Sequence, residues 1–324
     1  MPATFRVLIT DRAWPDCNLE REILREVGAE IIEAPTDDET TLAELAGDVD
    51  AIATCWAKVT SHVIRSSPRC RIVARFGIGL DNICVKTATE LGIPVTYVPD
   101  YCVPEVSDHT LALILACARN IAFFHHRTQQ QEYDLQAGPP MSRMEGRVLG
   151  LIGFGRIGRT VFRKATALGL QVKAYSLSGN NYETGCSMVS LDELLEQSDF
   201  VSLHLPLTDR SQHLMRMPQF QRMKQRAFLI NTSRGGLIDH DALWKALQKN
   251  ELAGAALDVF DPEPPDLSHP LFRVERVIVT PHAAFLSEES VRELRQRTAR
   301  QIAQALRGLQ PEHVVNPQVY QWSI

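Results

Sequence analysis

The 324-residue sequence has no apolar run long enough to span a bilayer: its longest, LALILACA at 111–118, falls far short of the ~18 residues required. Its first stretch, MPATFRVLITDRAWPD, is charged from Arg6 onward, unlike a secretory signal. A surplus of positive charge is missing too. Thirty-four Lys and Arg against 39 Asp and Glu leave a net charge of −5, whereas a nucleic-acid surface needs clustered cations to displace phosphate counterions. The seven cysteines (Cys17, Cys55, Cys70, Cys84, Cys102, Cys117 and Cys186) are odd in number and widely spaced, with no Cys-x-x-Cys pair. That pattern argues against a disulfide framework or a zinc or redox motif, and for a reducing compartment. No low-complexity tract occurs. The expectation is a soluble cytoplasmic protein acting on small molecules, with neither nucleic acid nor membrane as partner.

The chain is long for one core and predicts two lobes with a cleft between them. From Phe5, short β-branched runs (FRVLIT, EIIEAP, DAIATCW, RIVARFG, PVTYVP) alternate with amphipathic segments, the first of which turns Leu19, Ile23, Leu24 and Val27 inward. That rhythm predicts a parallel sheet covered by helices on both faces, ending near residue 99. An apolar helix is expected over 104–124. A second series follows it: RVLGLIG, QVKAYS, DFVSLHLP, AFLINTS, GAALDVF and RVIVTPH, six strands with the order of two βαβαβ halves. Ser190 and Glu193 have the spacing of a capping box. A last helix over Glu288–Leu306 sets Val291, Leu294, Ile302 and Ala305 on one face and arginines on the other, and is placed to close back on the first lobe. The expected fold class is α/β, two doubly wound parallel-sheet domains, with a Rossmann domain of residues 100–286 inserted into a flavodoxin-like domain of residues 1–99 and 287–324.

Within LGLIGFGRIGRT, at 149–160, glycines 153, 155 and 158 follow an apolar strand. At a glycine frequency of about 7%, such a triplet arises by chance in roughly one chain in ten of this length. Context strengthens it, because a helical stripe of Val161, Phe162, Ala165 and Leu168 follows and stops at Gly169. Gly153 then makes the tight turn, Gly155 admits a pyrophosphate to the backbone, and Gly158 packs helix on strand. A ligand-free turn, or the loop of a nucleoside-cofactor methyltransferase, is the alternative. The acid expected about 20 residues on, to hold the adenosine ribose, is replaced by Ser176 in AYSLSGNN, with no Lys or Arg from Leu177 to Asn181. NAD and NADP both stay open.

Three later strand ends, where such folds place ligands, carry charged groups: Arg234 in NTSRGG, Asp258 and Glu263 in LDVFDPEP, and His282 in TPHAAF. Singly, each has a plainer explanation as a solvated loop arginine, a surface acid or a hydrogen-bonded core histidine. Together they suit one reaction. A forked guanidinium can grip the carboxylate of a 2-oxo acid, or bridge it and the ketone oxygen. An imidazolium can stabilise charge developing on that oxygen and deliver a proton, and an ionised neighbouring acid favours the protonated ring.

In GFGRIG, NTSRGGLID, ALDVFDPEP and TPHAAF, in this order and spacing, the chain resembles the D-isomer-specific 2-hydroxyacid dehydrogenase family over essentially its whole length. The resemblance implies a substrate (catalytic) domain of residues 1–99 and 287–324, a dinucleotide-binding domain of 100–286, NAD or NADP as cofactor, and a homodimer joined through the cofactor lobes. It implies Arg234 as the substrate arginine, Glu263 as the partner acid and His282 as proton donor and acceptor. Asp258 would hold the nicotinamide amide. Cofactor contacts would also come from Gly153, Gly155, Arg156, Ile157 and Gly158, and from Thr110, Ser176, His204, Pro206, Thr232, Ser233 and Ala284. In ARFGIGLDN, backbone N–H groups of Phe76, Gly77 and Ile78 would face the substrate carboxylate. A glyoxylate- or hydroxypyruvate-like 2-oxo acid is the expected substrate. The family's corepressor-like members, which bind the cofactor with little turnover, are the alternative.

Two departures concern the substrate pocket. Phe285-Leu286 stands where the family commonly has Trp-Tyr, and QAGPPMSRMEG lacks the tryptophan often found before the glycine-loop strand. His125 and His126, being adjacent, point about 100° apart on a helix and suit no single metal. Cys102 and Cys117 read as small core residues, and no metal site is expected.

Overall fold

Residues 5–321 are described by the computed structural model. Phe5–Ile9 (β1), Ala29–Glu33 (β2), Ala51–Thr54 (β3), Val73–Arg75 (β4) and Val95–Thr96 (β5) form an all-parallel sheet in the order β2-β1-β3-β4-β5. This is the flavodoxin-like order. Helices cover both faces of such a sheet, so its central strands need apolar residues throughout, and all four residues of β3 are buried. Strand order reverses between β1 and β3. There Asp11 accepts the N–H groups of Cys55 at 2.8 Å and Trp56 at 2.5 Å.

This unit comprises the chain up to Tyr101 and the chain from Ser287 onward, and Cys102–Leu286 forms the other. The helix Glu288–Leu306 opens with a capping box formed by Ser287 and Ser290. Two of the arginines on its other face are drawn into the fold. Arg295 forks onto Glu20, whose carboxylate is 1% exposed, at 2.8 and 2.7 Å. Arg297 binds Asp100 and Glu293, each at 2.7 Å. A buried carboxylate needs a partner, and bidentate arginine is the strongest available. Arg292 and Arg300 remain exposed.

The second unit holds Val148–Ile152 (β6), Gln171–Tyr175 (β7), Ser187–Met188 (β8), Phe200–Leu203 (β9), Phe228–Asn231 (β10), Gly254–Leu257 (β11) and Val277–Val279 (β12). All are parallel, in the order β12-β11-β10-β9-β6-β7-β8. Counted from β6, this is the Rossmann order extended by a seventh strand. The seventh strand is β12, while β8, the third in that count, is the one strand the sequence does not mark, because its two residues carry no readable pattern.

The helix expected over 104–124 is two helices, Val103–Ala118 and Ile121–Gln129. Asn120 breaks it by adopting φ 51°, a left-handed conformation that asparagine tolerates, and its amide donates to Pro139 O at 2.8 Å. Only the first helix is buried: Leu111, Leu113, Ile114 and Cys117 pack in one cluster with Leu149 and Leu151 of β6. The capping box expected at Ser190 forms by half. Ser190 Oγ accepts from Glu193 N at 3.2 Å, but the Glu193 carboxylate turns to Lys173 at 3.3 Å.

Among the described residues, no helix is long and apolar enough to cross a membrane, and no group of three or more His, Cys, Asp or Glu could hold a metal. His125 and His126 are exposed. Cys102 and Cys117 are buried, and burial pushes the Cys117 thiol up to about 12.

Candidate active site

In the second unit strand order reverses between β6 and β9, and the glycine loop follows β6 at that point. Gly153 adopts φ +100°, and a Cβ on it would lie 2.2 Å from His204 O; one on Gly158 would lie 2.4 Å from Gly153 O. Neither position has room for a side chain. A Cβ on Gly155 would meet nothing within 4 Å, so the space before the helix Arg156–Ala167 is open. First-turn N–H groups and the helix dipole favour an anion there, and the residues fit a dinucleotide pyrophosphate. Arg156 and Ile157 begin that helix.

His204 follows β9 and shares a hydrogen bond with Ser202 Oγ at 2.9 Å, while Pro206 O accepts from Ser211 Oγ at 2.8 Å. Desolvation pushes His204 down to about 4, so its ring is neutral at ordinary pH. Thr110, on the buried helix, and Thr232, after β10, meet at 2.9 Å through their hydroxyls. After β7, Ser176 Oγ lies 3.3 Å from Ser178 Oγ. The Arg159 guanidinium sits 4.1 Å over the Tyr182 ring. It brings to this loop a cation that a count along residues 177–181 does not contain.

Asn231, buried at the end of β10, ties down the turn that presents Arg234. Its Oδ1 accepts Ser233 N at 3.0 Å and its Nδ2 donates to Arg234 O at 2.8 Å. Ser233 Oγ donates to Leu203 O at 2.9 Å, and Arg234 Nη1 to Ser233 O at 2.8 Å. The Asp258 carboxylate is wholly buried. It accepts the Thr280 hydroxyl at 2.5 Å, Ala283 N at 2.8 Å and Ala284 N at 2.9 Å, while Asp258 O accepts His282 N at 2.7 Å. These bonds hold His282 at φ +53°, a left-handed conformation that is costly for a side chain of this size. His109 Nε2 lies 3.1 Å from Thr280 Oγ1 and 3.6 Å from Asp258 Oδ1. Since the Thr280 proton points to Asp258, His109 is the donor of this contact.

Glu263 is fixed at both oxygens. Oε1 accepts Phe260 N at 2.8 Å, and Oε2 accepts His282 Nδ1–H at 2.7 Å. Burial alone would push its carboxyl up. The hydrogen bond and charge of His282, the Phe260 N–H and the Arg234 guanidinium outweigh this and hold it below the usual carboxylate range. Glu263 is therefore ionised at neutral pH. The edge of the Phe285 ring meets the His282 ring at 6.0 Å between centroids, and Leu286 is exposed. Arg234, Glu263 and His282 thus come together as a cation, an anion and an imidazole, the Glu263 contact being made through Nδ1 of His282.

In the first unit, the expectation for Phe76 is corrected. Its N–H donates to Thr54 O at 2.8 Å, continuing the β3–β4 ladder, so it cannot face a substrate. Gly77 and Ile78 remain as the donors of that loop. Sequence reasoning also passed over Asn231, Thr280 and His109. The first two lie inside stretches already singled out, NTSRGG and TPHAAF. His109 gave no signal, since nothing along the chain ties it to Asp258.

Residues 111–284 match the family model for the D-isomer specific 2-hydroxyacid dehydrogenase, NAD binding domain. A glyoxylate reductase of Korarchaeum cryptofilum is 37% identical over 89% of this chain and 88% of its own. Two solved structures are similar across the fold. The D-lactate dehydrogenase of Aquifex aeolicus, complexed with NAD and lactic acid, has TM-score 0.85 and 27% identity, covering 96% of this chain and 99% of that one. The NADPH-dependent glyoxylate/hydroxypyruvate reductase of Sinorhizobium meliloti, in complex with NADP and malonate, has TM-score 0.86 and 26% identity, covering 96% of each chain. A glycine loop that fits a pyrophosphate, a family match over more than half of the chain and relatives similar along nearly all of it lead to one conclusion: the chain belongs to the D-isomer-specific 2-hydroxyacid dehydrogenases, enzymes that work with a nicotinamide cofactor.

Proposed function

We propose that this protein reduces a small 2-oxo acid, glyoxylate or hydroxypyruvate first among them, to the 2-hydroxy acid, of D configuration wherever that product is chiral. The observation that carries this reading is the 2.7 Å contact between His282 Nδ1 and an ionised Glu263, with the Arg234 charge close enough to act on the same carboxylate. The glycine loop at Gly153, Gly155 and Gly158 would hold a reduced nicotinamide cofactor, which would supply the hydride taken up by the carbonyl carbon. Arg234 grips the substrate carboxylate or bridges it to the ketone oxygen, which fixes the carbonyl in place. Glu263 favours the protonated imidazole and fixes its plane, and His282 Nε2 donates a proton to the oxygen as its charge develops. Asp258 acts here by holding the backbone of residues 282–284. Glyoxylate reductase relatives support the choice of substrate.

NADH and NADPH are both accepted in this reading. Ser176 offers no carboxylate to repel a 2′-phosphate, and Arg159 brings a cation to the loop after β7. Initial rates with each cofactor against glyoxylate, hydroxypyruvate, pyruvate and phenylpyruvate test the proposal. Turnover is expected with glyoxylate or hydroxypyruvate, the second giving the D isomer, with kcat/KM for the two cofactors within about tenfold. Cofactor binding with none of the four acids reduced would overturn it and leave a sensor or corepressor-like protein.

The proposal includes a cytoplasmic homodimer. All seven cysteines are free thiols, as a reducing compartment keeps them, and cell fractionation would check the location. At the amino-terminal ends of β6, β9, β10 and β11 lies a cavity of about 300 Å³ lined by Arg143, Arg147, Arg226 and Arg276 together with the apolar Phe200 and Phe228. After Gln129 the same chain presents Glu132, Tyr133, Asp134 and Leu135, with Tyr133 96% and Leu135 84% exposed. Acidic and apolar residues in alternation complement an arginine-lined apolar cavity in a second copy. Sedimentation velocity is expected to read a dimer at micromolar concentration; a monomer would remove this part of the proposal.

A further inference from the structure

Arg234 and Glu263 follow neighbouring strands, β10 and β11, and two glycines come directly after Arg234. These glycines meet different things. A Cβ on Gly235 would lie 1.9 Å from the carbonyl carbon of Phe260, 2.0 Å from its oxygen and 2.4 Å from its Cα, all backbone atoms. A Cβ on Gly236 would first meet side-chain ends, Leu207 Cδ2 at 2.9 Å and Asp261 Oδ2 at 3.1 Å, which can swing aside. The φ of Gly235 is not positive, so alanine suits its backbone and space alone demands glycine.

Neither side of the Gly235–Phe260 contact can retreat. The 3-10 turn Gly235–Leu237 is pinned from behind, where Gly236 O accepts His213 N at 2.8 Å and Leu237 O accepts Met215 N at 2.9 Å. Asn231 Nδ2 holds Arg234 O at 2.8 Å. Across the contact Phe260 is buried in the core, its ring stacked on His240 at 5.9 Å between centroids and tilted against Phe272 at 5.1 Å. Close-packed interiors give way little, so the two peptides keep their spacing because no side chain stands between them. The Phe260 N–H makes that spacing matter. It donates to Glu263 Oε1 at 2.8 Å, while Oε2 meets His282 Nδ1 at 2.7 Å. The charges acting on this carboxylate are those of His282, which follows β12, and Arg234.

We propose that Gly235 is a positioning residue: by resting on the Phe260 peptide it fixes the spacing of the Arg234 turn and the Glu263 loop, and so seats the Glu263 carboxylate on His282. It acts through Phe260 and Glu263. The inference rests on the reading above that Glu263 serves His282 in proton delivery. A side chain at position 235 displaces the Phe260 peptide, and the carboxylate then loses an N–H donor and part of both neighbouring charges, which leaves it less firmly ionised.

The test compares wild type with Gly235→Ala and with Gly236→Ala as its control. Titration of Glu263 is followed by carbon NMR of isotope-labelled glutamate carboxyls, its signal assigned by loss in Glu263→Gln, beside the pH–rate profile for glyoxylate. Gly235→Ala is expected to raise the pH at which Glu263 titrates, and the acid limb with it, by about half a unit or more. Its kcat should fall about tenfold while the dissociation constant of the reduced cofactor stays unchanged. Gly236→Ala is expected to move neither the titration nor the limb. A folded Gly235→Ala in which Glu263 titrates as in wild type would overturn the inference, and so would an equal rise in Gly236→Ala. Should Gly235→Ala fail to fold, Phe260→Leu loosens the same peptide from its other face by removing both ring contacts, and an unchanged Glu263 titration there overturns the inference too. A wild type that reduces no 2-oxo acid refutes the underlying reading alone, because the NMR titration does not depend on turnover.

Discussion

His282→Ala is expected to lower kcat for 2-oxo acid reduction by about 10²- to 10⁴-fold, the range for loss of a positioned general acid, with cofactor affinity nearly kept. Nδ1 of the ring is engaged by Glu263, so Nε2 is the atom that can carry a proton to a substrate. Without that donor, the oxygen must be protonated by water as its charge develops. His282 also sits at φ +53°, where alanine is strained, so His282→Asn is the better-folding companion. Both variants should lose turnover while their thermal melting with bound cofactor differs little from wild type. Near-normal turnover in either would remove His282 from the mechanism. Glu263→Gln adds a pH readout. Glu263, held below the usual carboxylate range, keeps the charge that anchors His282 Nδ1–H down to acid pH, so Glu263→Gln should remove the acid limb that protonation of this carboxylate imposes on the pH–rate profile. An unmoved limb would dissociate the carboxylate from proton delivery.

Arg234→Lys is expected to lose about 30- to 5,000-fold in kcat/KM for the 2-oxo acid, although the charge is retained. A lysine ammonium is a point charge on a flexible stem, whereas the guanidinium offers parallel N–H groups matched to a carboxylate. The turn that presents Arg234 is itself bound at both ends by Asn231 and Ser233, so the side chain is aimed before substrate arrives. Truncating one partner of a desolvated charge pair costs about 2–5 kcal/mol, which corresponds to this range. Much of the loss should fall on kcat, because a substrate held loosely presents its carbonyl in many orientations. Arg234→Lys with wild-type kcat/KM would show that the fork is not what holds the substrate.

Much of this architecture could be read from the order of residues alone, for identifiable reasons. Parallel strands buried on both faces leave continuous β-branched runs, so all five strands of the first sheet and six of the seven in the second stood out, while β8, with two residues, did not. Strand-end positions made it inferable that Arg234, Glu263 and His282 would lie near one another, since each follows a strand of one sheet. Side-chain partners from distant segments were a different matter. Periodicity marks Arg295 as polar and outward, and only the fold brings it to Glu20. The break at Asn120 was hidden because apolar residues continue on both sides of it. The engagement of Phe76 N–H depends on where the β3–β4 ladder ends, a matter of one residue.

Because the first unit is completed by residues from Ser287 onward, its maturation lags its synthesis. The ribosome delivers β1 to β5 early, but the helix that supplies Arg295 to Glu20 emerges only after Cys102–Leu286 has been translated, roughly 10–40 s later at usual elongation rates. The uninterrupted unit can finish folding first, while the earlier one waits with an unpaired carboxylate and a bare sheet face. A premature stop before Ser287 should therefore leave Glu20 without its arginine and the first unit incomplete, while Cys102–Leu286 keeps every residue of its own unit.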